Sequence, residues 1–315
     1  MAPDHHTVAV FAPHLALTVT IEKGREGGPD DIHIHPGGQG FWVARMLRHL
    51  GERPLLCGPI GGESGAVLRG LIRLWGIDLS PVEVQESSPA IVQDRRSGDR
   101  SPIAEAPAPG LVRHELDDAY GKILDHALSS RVVVITGQRT EIVPVDTYRR
   151  LGHDLASADV RVVGDLHGQE LRAFLDGGPI DLLKVSDEDL TEDGALEDAE
   201  EAGALDALHR LIDSGARSVV ISRGQLPALA HLGGTTFRVT GPTLEPADFR
   251  GAGDSMTAGL AAAISRRLGP EELLRLASGA GAANVTRHGL GSASHDLIPK
   301  LAERVEIEIL TSAPQ

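Results

Sequence analysis

WVARMLRHLGERPLLCGPIGGESGAVLRGLIRLWG, residues 42–76, carries the pattern that decides the fold. Trp42, Val43, Met46, Leu47 and Leu50 recur at helical spacing, and Gly51 supplies the stop. Pro54–Gly58 is a short apolar run of strand length, and Val67, Leu68, Leu71, Ile72 and Trp75 repeat the helical pattern up to Gly76. Outward from this segment the rhythm continues, with candidate strands at Thr7–Phe11, Arg131–Ile135, Arg161–Asp165, Ile180–Lys184 and Ser218–Ser222. Strand and helix in alternation predict a doubly wound, mostly parallel α/β sheet with helices on both faces. Right-handed crossovers bring the strand C-termini to one edge, so the chemistry is expected in the loops there.

Two segments, at about 12–36 and 89–106, break the rhythm. Leu15–Ile21 and Asp31–His35 alternate like short strands, and the second segment runs into a Pro/Ala stretch, Ala104–Gly110, that reads as a linker. Neither offers a core of its own. The expected organisation is one α/β domain over residues 1–315 with a small β lid built from both segments.

Composition narrows the partners. The net charge of −15, without a large Lys/Arg cluster, argues against nucleic acid. Aromatic residues make up only 3% of the chain, so the core must rest on Leu, Val, Ile and Ala. The single cysteine, Cys57, lies in an apolar run and reads as a buried thiol in a reducing compartment. Met1–His6 lacks the basic-then-apolar pattern of a signal peptide, and no apolar run reaches the roughly 20 residues of a membrane span. A soluble, cytoplasmic protein with no membrane partner is expected.

The strongest chemical signal is Asp248-Phe249-Arg250-Gly251-Ala252-Gly253-Asp254-Ser255-Met256, followed by the small-residue helix Thr257–Ser265. Gly, Ala and Gly at a helix start leave backbone N–H groups open to an anion, and the helix dipole adds about half a positive charge. Such a cradle suits a phosphoryl group in transfer. Asp254 at its rim can take a proton from an attacking hydroxyl, and the helix N-terminus is expected to favour its ionised form. The plainer alternative is a Gly-rich turn that packs a helix, capped by Asp254.

Residues 251–260 resemble the C-terminal signature of the PfkB/ribokinase family of carbohydrate kinases. Further segments resemble that family in the same order. They are Pro36-Gly37-Gly38-Gln39-Gly40 with Val43-Ala44-Arg45, then Gly58–Gly65, Asp181–Leu190 and Val219–Gly224. The resemblance covers nearly the whole chain and is nearest the 1-phosphofructokinase and tagatose-6-phosphate kinase branch. It implies a ribokinase-like fold with a β lid, use of ATP with Mg²⁺, a small-molecule alcohol as acceptor, and a possible homodimer formed through the lid. By position it makes Asp254 the base and Gly251, Ala252 and Gly253 the anion hole. It places Lys184, Ser222 and Gly224 near the nucleotide, with Ala283, Asn284 and Gly289 around the adenine. Ser186 and Asp189 fall where the family's metal-linked Asn-x-x-Glu lies, with Glu188 as an alternative.

The substrate side departs from the family pattern. Ala16 stands where the family has a sugar-gripping Asp, Gln39 where it has a phosphate-binding Lys, and Trp42 where it has an Asn. Ile91 and Gln93 replace the lid's usual polar pair, and the loop Thr136–Ile142, which includes Arg139, departs from SGSLPPG. His14 flanks the substrate position. These exchanges remove partners for hydroxyls and add apolar contact, which predicts an acceptor bulkier or less hydroxylated than an ordinary sugar phosphate. Trp42 turned away into the core is the competing reading. Arg250 beside the cradle either clamps an anion or pairs with Asp248. His33 and His35 read as polar lid surface rather than a metal pair, and Arg95, Arg96 and Arg100 as a solvated turn, with reach toward an anionic ligand as the alternative. A 1-phosphofructokinase or tagatose-6-phosphate kinase with a rebuilt pocket, and an inactive nucleotide- or metabolite-binding relative, stay open.

Overall fold

The structure, a computed structural model, describes residues 6–24, 28–137, 142–197, 200–245, 249–287, 290–294 and 296–312. Along the chain, β1 (Val8–Phe11) leads into β2 (Ala16–Glu22) and β3 (Asp31–Gly37), then α1 (Gln39–His49), β4 (Pro54–Gly61), α2 (Gly62–Leu74) and β5 (Asp78–Val84). Next come β6 (Ala90–Asp94), β7 (Ser101–Ala106), α3 (Arg113–Ser129), β8 (Val132–Thr136), α4 (Val145–Ser157), β9 (Val162–Asp165), α5 (Gly168–Gly177) and β10 (Leu182–Ser186). The chain continues with α6 (Asp187–Glu192), α7 (Glu201–Asp213), β11 (Val219–Arg223), β12 (Leu226–Leu232) and β13 (Thr235–Thr240). It closes with α8 (Ala252–Ser265), α9 (Pro270–Val285), α10 (Leu297–Ala302) and β14 (Glu306–Ser312).

A 10-stranded sheet runs in the order β14-β13-β12-β11-β10-β9-β8-β1-β4-β5. From β11 to β5 every pairing is parallel. β1 and β8 read Val-Ala-Val-Phe and Val-Val-Val-Ile-Thr and are buried along their whole length, as strands covered on both faces must be. One apolar core packs this sheet against α1, α2, α8 and α9, and a second lies on its other face under α3, α4, α5 and α7. Cys57 belongs to the second core, and burial pushes its thiol up to about 12, which leaves it inert.

The far edge is antiparallel. β11, β12, β13 and β14 form a meander that the alternation of strand and helix did not predict. The segments 16–37 and 90–106 pair into a separate four-stranded sheet, β3-β2-β6-β7. The linker reading of Ala104–Gly110 is corrected here. Ala104 and Ala106 pair with Val92 and Ala90, so ladder hydrogen bonds hold that stretch as strand up to Ala106. Among the described residues, no helix is long and apolar enough to cross a membrane.

Candidate active site

The C-terminal ends of β1, β8, β9 and β10 open on one cleft of about 320 Å³. His14 enters it from the loop after β1, and Gly38, Gln39 and Trp42 from the start of α1. Thr136 and Gly137 come from the end of β8, His167 from the loop after β9, Asp189 from α6, and Asp254 from the first turn of α8. Elements far apart in sequence thus meet where the doubly wound sheet gathers its strand ends.

Gly251 caps α8 in the left-handed region at φ 75°, and Asn284 ties the turn down from below. Its Nδ2 donates to the Arg250 carbonyl at 2.7 Å, and its Oδ1 accepts from the Gly291 N–H at 2.7 Å. A Cβ on Gly253 would lie 2.7 Å from Lys184 Nζ, so glycine there lets the ammonium approach the helix start. The Ala252 N–H makes only a long bond, 3.4 Å, to the Phe249 carbonyl.

Lys184 and Asp165 sit opposite each other on β10 and β9, and their side chains meet at 3.5 Å with almost no exposure. The Thr257 hydroxyl donates to the other Asp165 oxygen at 2.6 Å. Burial alone would lower Lys184, but the charges of Asp165, Asp254 and Asp189 outweigh it and hold the ammonium above its usual range. Asp254 faces the same cation and is pushed up to about 7, first by burial and then by Asp165, against the pull of Lys184. The expectation that the helix N-terminus keeps Asp254 readily ionised is therefore reversed. A dipole of about half a charge is outweighed by desolvation and a neighbouring carboxylate.

Asp189 and Ser186 close a capping box. The Ser186 hydroxyl donates to Asp189 Oδ2 at 2.6 Å and accepts from the Asp189 N–H at 3.0 Å. Burial would raise Asp189, yet this hydrogen bond and the charges of Lys184 and His167 hold it below the usual carboxylate range. His167 leans on Asp193 at 3.3 Å, and Thr136 donates to the Phe11 carbonyl at 2.8 Å.

Trp42 does both things that the sequence left open. It lines the cleft, and it packs at 4.9 Å from the Phe41 ring and 5.5 Å from the His35 ring with 7% exposure. Gly38 adopts φ 107°, and a Cβ there would fall 2.2 Å from the His14 carbonyl oxygen. Burial lowers the His14 imidazole, partly offset by Glu105. Ala16 is buried at the start of β2, opposite Gly37.

On the expected nucleotide side, Ser222 lies in register beside Ser186, and Gly224 follows in the turn at φ 55°. Ala283 and Asn284 are fully buried in α9. Arg250 is exposed beside the cradle. Arg139, Gly289 and Asp248 lie outside the described residues, as does all of the loop 138–141. In the β3-β2-β6-β7 sheet, Arg95 is paired with Glu22, and Arg96 with Asp94 and Asp30. Asp165 and His167 were not singled out from the sequence, and Thr136 and Gly137 entered only as the start of the loop Thr136–Ile142. The place of Asp165 at the end of an expected strand was the available signal.

A buried lysine among carboxylates thus lies beneath the start of α8, at the strand ends of a doubly wound sheet. The model of the pfkB family carbohydrate kinases matches residues 16–297, and the chain belongs to that family. It is 28% identical over 300 residues to the ATP-dependent 6-phosphofructokinase isozyme 2 of Mycobacterium tuberculosis, covering 92% of this chain and 87% of the relative. It is 27% identical over 303 residues to the 1-phosphofructokinase of Bacillus subtilis, covering 94% and 96%. Phosphofructokinase-2 from Escherichia coli, solved in complex with potassium, superposes with a TM-score of 0.85 at 23% identity, over 95% of this chain and 99% of that one. The chain is a ribokinase-like enzyme that transfers phosphate to an alcohol.

Proposed function

We propose that the protein is an ATP-dependent kinase that phosphorylates a small-molecule alcohol other than an ordinary sugar phosphate, with Asp254 as the base. One observation carries the substrate half of this reading. Among the described residues that wall the cleft, none is Lys or Arg. A dianionic phosphate beside the acceptor hydroxyl requires positive partners. Gln39 and Trp42 instead offer one amide and a flat apolar wall.

When bound, ATP supplies the phosphoryl group and Mg²⁺ offsets its charge. Among the described residues no cluster of three or more acidic, His or Cys side chains is placed to hold a metal alone. Asp189 at the cleft wall, with Ser186 behind it, would hold such an ion, whose charge would offset that of the phosphates. Asp254 accepts the acceptor's proton once ionised, and Lys184 steadies that carboxylate. The start of α8, Gly251 to Gly253, directs N–H groups toward the transferring group. Lys184, Ser222, Gly224, Ala283, Asn284 and Gly289 make up the nucleotide side of the proposal. His14, Ala16, Gly38, Gln39 and Trp42 make up the acceptor side of the proposal, and Arg139 and Arg250 are the basic groups that a sugar-phosphate acceptor would call on.

A second reading, a phosphofructokinase with a rebuilt pocket, is favoured by the names of the relatives over nearly the full chain. An ATP/Mg²⁺ transfer assay across fructose 6-phosphate, fructose 1-phosphate, tagatose 6-phosphate, free sugars, polyols and nucleosides separates the two. Turnover on an unphosphorylated acceptor, at least about tenfold above any sugar phosphate, is the expected outcome. Turnover confined to sugar phosphates would favour the second reading.

The β3-β2-β6-β7 sheet is proposed to act as a lid and to pair with a second copy of the chain. Ile32 and Ile34 are 65% and 52% exposed and lie opposite Ile21 and Val19 on β2. An apolar lid face turned to solvent is unusual for a monomer. Size-exclusion chromatography with light scattering should give a dimer, and Ile32→Asp with Ile34→Lys should give a folded monomer. An unchanged mass in the double variant would rule out this interface.

A further inference from the structure

The chain has two tryptophans, and both line a cavity of about 370 Å³ between the lid sheet and the core. This cavity is separate from the catalytic cleft but shares Trp42 with it as a common wall. In a protein with 3% aromatic residues, that convergence marks a built surface.

Arg45 is the centre of the cavity. Its guanidinium stacks on Trp75 at 3.8 Å from the ring centroid and lies 5.8 Å from that of Trp42. Nη1 donates to the Leu290 carbonyl at 2.6 Å, and Nε is buried without an acceptor. No carboxylate among the described residues pairs with this cation. Burial and the nearby Arg287 lower it to about 10, so it stays charged at neutral pH.

Of the other charged and titratable groups around the cavity, Arg100 is a second cation, His33 lies 3.9 Å from Glu22, and burial lowers the His35 imidazole. The acidic group, Glu22, is engaged by Arg95 at 3.2 Å. A basic cavity with aromatic walls in a chain of net charge −15 is out of character with the surface as a whole. A partly buried guanidinium that lacks a carboxylate is completed by an anion, ideally one with two coplanar oxygens. The indole walls and the edge of β3 favour an apolar body behind that anion.

We propose that this cavity binds a small anion with a flat apolar body of one or two rings, such as an aromatic carboxylate, with the anionic group on Arg45 and the rings beside Trp42. The inference is independent of which acceptor the cleft takes. Because Trp42 walls both spaces, such a ligand would also fix the side chain that shapes the acceptor end of the cleft.

Isothermal titration of the full chain with 2-naphthoate, 2-naphthylmethanol and inorganic phosphate tests it. The expected result is measurable binding of 2-naphthoate, with the neutral alcohol and bare phosphate each at least about tenfold weaker. Arg45→Gln should weaken 2-naphthoate by about tenfold or more, and Arg45→Lys should recover only part of that loss, because an ammonium lacks the planar fork that stacks on Trp75. If Arg45→Gln does not fold, Arg100→Gln on the lid side should give a smaller loss in the same direction. Equal binding of the alcohol and the carboxylate would overturn the proposal. So would no heat up to millimolar 2-naphthoate, or unchanged affinity in folded Arg45→Gln.

Discussion

Asp254→Asn is expected to lower kcat by about a thousandfold or more while raising thermal stability at pH 8. The loss follows from the position of Asp254 in the cleft as the group that takes the acceptor's proton, a role whose removal slows reactions by about 10²–10⁴. The stability gain follows from its raised pKa, about 7 in the folded chain. An ordinary aspartate titrates near 3.9, so the folded state binds this proton more tightly than the unfolded state does. Stability is therefore lost as pH rises from about 4 through 7, and at pH 8 the ionised Asp254 is a net liability. The neutral amide removes that liability, so a gain of roughly 2–6 °C in Tm is expected at pH 8, fading as pH falls toward 4. Thermal melts of both proteins across this range check the sign. A variant that keeps its kcat, or that melts lower at pH 8, would contradict the role given to this carboxylate.

Lys184→Met is the second large effect. The ammonium is buried against Asp165 and faces Asp254 and Asp189. Its removal leaves these carboxylates without their shared cation, and breaking a buried pair from one side costs about 3–5 kcal/mol. In a chain of this size that lowers Tm by roughly 6–15 °C. The carboxylates relieve the strain by taking up protons, so the apparent pKa of Asp254 should climb further. The melting loss should shrink as the pH is lowered, since protonation removes the unpaired charge. Lys184→Arg keeps the charge but cannot fit beside Gly253, where a Cβ would already lie 2.7 Å from Nζ. It should therefore recover only part of the stability. A Lys184→Met variant as stable as the parent at pH 8 would mean that the cation does not hold the cluster together.

Much of this was legible in the sequence because the physics is local. Val132–Thr136, Leu182–Ser186 and Val219–Arg223 fall within one or two residues of the expected strands, since unbroken apolar runs bounded by turns leave little choice. Asp254 was read from its Gly-Ala-Gly-Asp turn, while His14, Gly38, Gln39, Trp42 and Asp189 came from the family resemblance; all six share one cleft. What was missed depends on register and distance. Asp165 gains its importance from lying opposite Lys184 across two strands, and nothing in its own neighbourhood shows that. The raised pKa of Asp254 depends in turn on Asp165 and on burial, and neither can be read from the Gly-Ala-Gly-Asp turn. The meander of β12, β13 and β14 escaped because attention to strand and helix in alternation passed over strands paired in sequence. Its signal was present: Gly233 and Gly234 sit between two short runs of strand-forming residues, a two-residue hairpin signature. Trp42 shows a further limit, because a side chain that packs on two rings and walls two spaces does not fit a choice between core and pocket.

The pH dependence of kcat/KM for the acceptor, which reports the enzyme before the acceptor binds, measured from pH 5.5 to 9, tests the central claim most directly. A base at about 7 predicts a tenfold rise per pH unit on the acid side, levelling near neutrality, with the limb displaced to higher pH in Lys184→Met. A rate that is flat across this range, or a limb unmoved by the loss of Lys184, would contradict Asp254 as the base in this carboxylate cluster.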